Sequence, residues 1–306
     1  MRKEVKITLK TNKKLIMCYG KTAFTPGRYL EDGLRSIGAN VDVYKTEIDF
    51  GAIDFSEVAG VLFVESPSKP AVKTKNIDLV TVPKLLWVHH GENRIPTNVK
   101  LAKKFKADLI LMAHSLHLAK RFPAPVRFFP FAMAKNIFNS KTDLNERPID
   151  ISFVGSRDPG YYQKRRIALK AIKEKFSSSY KLSLNSSVFV NGLAEQYSKS
   201  KIVVNHTADT IKSLNMRIFE GMGCGALVIT DFVPGQDQLF RDQEHYVLFK
   251  NHAELLEKID YYLTHPKEAQ KIASAGHLHL LSSHTYEHRA HEIFRHIEEL
   301  AANAPD

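Results

Sequence analysis

The chain has 306 residues, with 44 Lys and Arg against 33 Asp and Glu and a formal charge of +11. Its 43% hydrophobic and 25% charged content is that of a globular protein and excludes a disordered tail or a fibre, and the length suits two domains. The longest apolar runs, such as Gly60–Val64 and Leu109–Ala113, are too short to cross a bilayer.

The elements follow in chain order. The opening Met1–Lys6 is charged and precedes no apolar signal core, which implies a cytoplasmic protein. Lys14–Tyr19 is a short apolar run ending at Gly20 and predicts a buried strand; Tyr29–Ile37 has helical spacing and stops at Gly38. Val41–Lys45, Val58–Glu65, Lys84–His89, Asp108–His114 and Val126–Phe131 predict further strands. Lys135–Pro148 is polar and rich in turn residues, and is the expected linker. The pattern then restarts: strand Asp150–Gly155, basic amphipathic helix Tyr162–Phe176, short strands at Lys181–Leu184 and Val188–Val190, helix Leu193–Ser200 and strand Lys201–Thr207. Helix Asn215–Met222, strands Ala226–Asp231 and His245–Phe249, and helices Ala253–Leu263, Pro266–Ala275 and Thr285–Leu300 complete the chain. Strands on this spacing with helices between them imply mostly parallel sheets covered on both faces. The expected architecture is α/β: two Rossmann-like lobes, 1–145 and 146–306, with a cleft between them and the last helix packing back on the first lobe. Ligands in such folds bind beyond the carboxyl ends of the strands.

The informative stretch is Asn215–Asp231, NMRIFEGMGCGALVITD, read as helix, glycine turn and buried strand. Asn215 is a good N-cap, and the free amides of a helix start suit a diphosphate. Arg217 in the first turn opposes the helix dipole, which points to an anion there, and its fork suits phosphate. Glu220, three residues on, shares its face and can accept two hydrogen bonds from vicinal ribose hydroxyls. The plain alternative is an intrahelical Arg217–Glu220 pair on a solvated face.

Together with LFRDQEHYVLF, HTYEHRAHEIF, DISFVGSRDPGYYQKRR and YSKSKIVVNHT, this stretch resembles the C-terminal half of the CgeB/spore-protein group of GT-B glycosyltransferase-like proteins, over about residues 150–296. The resemblance implies sugar transfer from a nucleotide diphospho-sugar, held by the C-terminal lobe, to an acceptor on the N-terminal lobe. It implies that Glu220 holds the donor ribose, that the Gly155-Ser156-Arg157 loop reaches the diphosphate, and that Asn215 and Arg217 lie near the diphosphate or sugar. An acidic residue that the retaining GT-B enzymes carry upstream is absent from Lys212-Ser213-Leu214. That departure keeps open a non-catalytic spore-surface or assembly protein with the same shell.

The other motifs are weaker. The glycines of Gly221–Gly225 follow a helix and precede a strand, the reverse of a dinucleotide fingerprint. Tyr19–Thr22 ends like a P-loop, but the required earlier glycine is Leu15. Gly20 can still let a substrate approach the first strand. His90 and Glu92 follow a strand end, placing them on the acceptor side, with His90 as a candidate base or hydrogen-bond donor. His288, Glu292 and His296 share a helix face without the HExxH order, and read as a solvated face rather than zinc ligands. Lys164-Arg165-Arg166, Lys170 and Lys173 likewise read as a solvated basic face, with no nucleic-acid motif beside them. No DxD sequence is present, so neither a metal nor a cofactor is expected beyond the nucleotide-sugar substrate. Cys18 and Cys224 lie far apart, which fits a reducing compartment. The positive charge favours an anionic acceptor, such as a glycan or a spore- or cell-surface component.

Overall fold

A computed structural model describes residues 12–20, 22, 25–65, 70–89, 92–209 and 213–303. The chain forms two units, one of residues 1–129 and 286–306, the other of residues 130–285.

In the first unit, apolar runs form β1 (Lys14–Cys18), β2 (Val41–Tyr44), β3 (Glu47–Asp49), β4 (Val58–Val64), β5 (Lys73–Lys75), β6 (Lys84–Val88), β7 (Leu109–Met112) and β8 (Val126–Phe128). Six of them make one parallel sheet in the order β2-β1-β4-β6-β7-β8, and β3 and β5 pair separately. Helix α1 (Pro26–Ser36) starts on a proline, which fixes the first turn without losing a needed amide, and α2 (Ile95–Lys104) has its own proline at the same end. Ile16, Phe63, Leu86 and Ile110 fill the core on one side, where the rings of Phe63 and Phe105 stack at 4.0 Å.

The second unit repeats the scheme with β9 (Ile149–Val154), α3 (Gln163–Phe176), β10 (Leu182–Asn185), α4 (Val190–Ser198), β11 (Ser200–Asn205), α5 (Met216–Gly223), β12 (Leu227–Asp231), β13 (Val247–Phe249), α6 (His252–Thr264) and α7 (Pro266–Ser283). Its parallel sheet runs β10-β9-β11-β12-β13. Phe153, Val204, Ile229 and Val247 meet Leu169, Ile172, Ile259 and Ala273 in the core. Asn251 caps α6 by accepting from the Glu254 amide at 3.0 Å, while the Glu254 carboxylate accepts from the Lys250 amide at 2.8 Å. The final helix, α8 (Tyr286–Ala302), belongs to the first unit and packs along α1.

Three expectations are revised. The division falls at Phe129/Pro130 rather than within the polar stretch 135–148, because Phe138 and Leu144 are buried and the Leu144 amide donates to Gln270 at 2.7 Å, which ties that stretch to the second unit. Val188–Val190 is no strand: Phe189 is exposed and Val190 opens α4. The face of α8 that carries His296 is not solvated, since His296 is buried with Ile293 and Ile297.

The α1–α8 contact depends on a missing side chain. A Cβ at Gly33 would stand 2.7 Å from the Tyr286 backbone. Gly33→Val should therefore lower stability by about 2 kcal/mol in chemical denaturation, the order expected for overpacking; an unchanged midpoint would show that α8 does not dock there.

Candidate functional site

Each helix of the second unit that follows a strand begins at the carboxyl edge of its sheet, so the starts of α3, α4 and α5 share that edge with the ends of β9, β11 and β12. Asn215 caps α5 as its sequence implies, its side chain accepting from the Arg217 amide at 3.1 Å. That bond uses one amide of the first turn and leaves those of Met216 and Ile218 without a helical partner. At its other end α5 is held by α7, where His277 Nδ1 bonds the Gly223 carbonyl at 2.9 Å.

Arg217 does not extend outward from the helix. Its guanidinium folds back over the sheet edge: Nε donates to the Val154 carbonyl at 2.8 Å and Nη1 to Asn205 Oδ1 at 2.5 Å, with its carbon 4.8 Å from the centre of the Phe153 ring. Gly155 makes room for this, because a Cβ there would collide with the Arg217 guanidinium. A second cation lies beside it. Arg165 is buried, donates to the His206 carbonyl from Nε at 2.8 Å and to the Ser156 carbonyl from Nη1 at 2.7 Å, and covers the Tyr162 ring at 3.8 Å. Burial, and then the neighbouring charge of Arg217, lowers its pKa to about 10. The edge thus holds two guanidiniums around Phe153. Asp231 closes it, accepting from the Thr207 amide at 3.0 Å and the Thr207 hydroxyl at 2.5 Å.

Glu220 is buried on α5 at 8% exposure, and its carboxylate makes no hydrogen bond or ion pair with any described residue. Burial pushes its pKa up to about 7, and the charge of Arg217 pulls against that rise. A solvated Arg217–Glu220 pair is therefore not what the structure holds. A carboxylate kept from water without a donor is expensive for a fold to maintain.

The sequence reading placed Gly155, Ser156, Arg157, Asn215, Arg217 and Glu220 together. Gly155, Ser156, Asn205 and Arg217 do converge, with Asn215 and Glu220 on the helix above them. Arg157 instead lines a groove on the outer side of α3. Arg165, read as part of a solvated face, is the cation that occupies the edge. Its signal was present: Arg165, Ala168, Leu169, Ile172 and Phe176 form the buried stripe of α3.

In the first unit, Gly20 lines a cavity of about 180 Å³ with Val72, Leu101 and Phe105, together with the ion pair of buried Glu65 and Arg94 at 2.8 Å. Glu65 also accepts from the His89 amide at 3.3 Å. Glu92 stands outside that cavity and faces His117 at 3.5 Å. His90 and Lys212 lie outside the described residues. Among the described residues, no group of three His, Cys, Asp or Glu side chains is arranged to hold a metal ion, and no helix is long and apolar enough to cross a membrane.

A family profile described as glycosyl transferase-like matches residues 142–295, which contain the whole of this edge. The chain belongs to the glycosyl transferase-like family. A comparison with curated protein sequences finds no match. Among solved structures, sucrose-phosphate synthase from Thermosynechococcus elongatus matches with a TM-score of 0.62 at 13% identity, over 95% of this chain and 100% of that one. The Anabaena protein HepE in complex with UDP and glucose matches at 0.60 and 12% identity, over 94% and 100%. T4 phage BGT in complex with its UDP-glucose substrate matches at 0.59 and 13% identity, over 94% and 98%. The fold is that of the GT-B glycosyltransferases, and this family member is a glycosyltransferase with parallel α/β sheets in both units.

The unpaired carboxylate has a consequence for stability. A folded pKa near 7 against an ordinary 4.5 means that the folded state binds the extra proton between those values, so stability falls as pH rises through that window. Glu220→Gln removes the ionisation. Its melting temperature should match the native protein's below about pH 4.5 and exceed it by about 2 °C or more at pH 8. A variant less stable than the native chain at pH 8 would mean that the carboxylate has a stabilising partner.

Proposed function

We propose that this glycosyltransferase takes its sugar from a nucleotide diphospho-sugar bound at the carboxyl edge of the second sheet, and that the donor is of the uridine class. The observation that carries the reading is the Glu220 carboxylate, buried and without a hydrogen-bond donor on the helix that carries Arg217. A ribose diol supplies the two hydroxyl donors that such a carboxylate lacks. The diphosphate would then lie over the open amides of Met216 and Ile218, with Ser156 and the outer edge of the Arg217 guanidinium beside it. These groups are fixed before the donor arrives, because Arg217 is anchored on Val154 and Asn205. They would stabilise the charge that develops on the departing nucleotide diphosphate, the work a divalent metal does in other sites. Arg165 helps to set the positive potential of the same edge. The base would lie by exposed Phe189 and by Val190, whose φ of +46° is rarely adopted by a β-branched residue. The solved relatives support uridine, since HepE and T4 phage BGT are each described with UDP or UDP-glucose.

The acceptor is proposed to dock on the first unit, near Gly20 and the cavity that holds Glu65 and Arg94, with Glu92 on the same side and His90 as the candidate general base. An anionic glycan or a spore- or cell-surface component suits a chain of charge +11. The order of motifs supports placement in the CgeB/spore-protein group. Cys18 and Cys224 are buried and free, as a reducing compartment permits, and cytoplasmic action belongs to the same proposal.

UDP and UDP-sugars should raise the melting temperature in a thermal-shift screen where other nucleotide diphosphates do so less. Glu220→Ala should weaken UDP binding at least about tenfold, since it removes hydrogen bonds to a charged group. Release of UDP from a donor panel should persist in EDTA and be lost in Arg217→Ala. Unchanged affinity of Glu220→Ala for every nucleotide tested would reject the assignment, and activity abolished by EDTA would reject the metal-independent part.

A further inference from the structure

A groove with a volume of about 370 Å³ runs along the outer side of α3 against β10, the edge strand of its sheet. Its floor is aliphatic, made by Ile167 and Leu184, and its rim carries Arg157, Arg166, Lys170 and Lys173, with no acidic side chain among the lining residues. Arg166, Lys170 and Lys173 follow one another at helical spacings of four and three, which puts them on one face. Lys170 has only an exposed contact of 3.6 Å to Glu174 on its own helix, a pair worth little. Arg157, Arg166 and Lys173 have no ion-pair partner among the described residues.

This face does nothing for the fold. The core uses the opposite side of α3, where Ala168, Ile172 and Phe176 are buried. Ile167 is left 49% exposed between the cations. Four like charges around an aliphatic floor repel one another and stabilise nothing inside the chain. Tyr161, 51% exposed, stands just ahead of the same helix. An apolar strip framed by cations is complementary to an anionic amphiphile, and an aromatic ring beside it suits the level of lipid headgroups.

We propose that this groove docks the protein on a bilayer surface rich in acidic phospholipid. Lipid phosphates meet the four cations while Ile167 and Leu184 meet the glycerol and upper acyl region. A nucleic acid or a soluble polyanionic glycan would use the cations but would have no use for the aliphatic floor. The surface is separate from the proposed donor edge, whose two arginines turn inward to Val154, Asn205 and His206.

The test is co-sedimentation of the full chain with vesicles of neutral phosphatidylcholine, and with vesicles containing about 30% phosphatidylglycerol. Binding to the acidic vesicles alone is expected, weakening as salt rises from about 0.05 to about 0.3 M. The double variant Lys170→Gln with Lys173→Gln should lower the partition coefficient about tenfold or more. Ile167→Ser should lower it as well, and both should keep the native melting temperature, because none of these side chains packs in the core. Absence of binding to acidic vesicles, equal binding to neutral ones, or binding unaffected by either variant overturns the proposal. So does capture of an oligonucleotide or a soluble anionic glycan that depends on the lysines but is indifferent to Ile167→Ser.

Discussion

The carboxyl edge of the second sheet is organised around a carboxylate with no hydrogen-bond donor of its own. Glu220 sits on a short helix that is held at both ends, by Asn215 at its start and by His277 against the Gly223 carbonyl at its finish. The helix cannot easily rotate to bring the side chain into water. The resulting burial raises the carboxyl pKa to about 7 and makes Arg217 its nearest compensating charge. Arg217 in turn is committed to the ends of β9 and β11, so it offers Glu220 a favourable field rather than a bond. Such an arrangement costs the fold stability, and a ligand that brings hydroxyl donors, as proposed for the nucleotide, would offset that cost.

The cations show the same division of labour. Arg165 and Arg217 flank Phe153 and give their donors to backbone and side-chain oxygens at fixed distances, which makes them rigid carriers of positive potential. Arg165 is held so far from water, and then so close to Arg217, that its pKa falls to about 10. Two like charges held together tend to separate unless the surrounding carbonyls bind them, as the oxygens of Val154, Ser156 and His206 do here. The outward-facing lysines and arginines of α3 lack such anchors and belong to a different surface. One helix thus serves two purposes, with Arg165 on its buried stripe and Arg166, Lys170 and Lys173 on its outer side.

Much of the fold was legible in the sequence because parallel strands buried on both faces read as continuous apolar runs, such as 109–112 and 227–229. The Asn215 cap was legible because capping is a local property, whereas the burial of Glu220 was not, since spacing alone equally allowed a solvated pair with Arg217. The direction of Arg217 was not, since it is decided by the Val154 carbonyl and the Asn205 amide, which are remote in sequence. Residues 135–148 misled for a related reason: their polar composition suggests a linker, yet two apolar side chains, Phe138 and Leu144, anchor the segment. Arg165 was misread because a cation at the head of an apolar stripe was counted by its charge and not by its phase. Arg157 was assigned by its place in a loop, and it lines the outer groove of α3.

The Glu220 carboxyl is proposed to meet hydroxyl donors of a nucleotide. The most direct measurement is a carbon-13 NMR titration of glutamate carboxyl groups in the free and UDP-saturated protein, with Glu220→Gln used for assignment. One carboxyl should titrate near 7 in the free protein and move to below about 5 with UDP bound, because hydrogen bonds to the charged form favour it. A Glu220 carboxyl that titrates in the ordinary range when free, or that is indifferent to saturating UDP, would contradict the account.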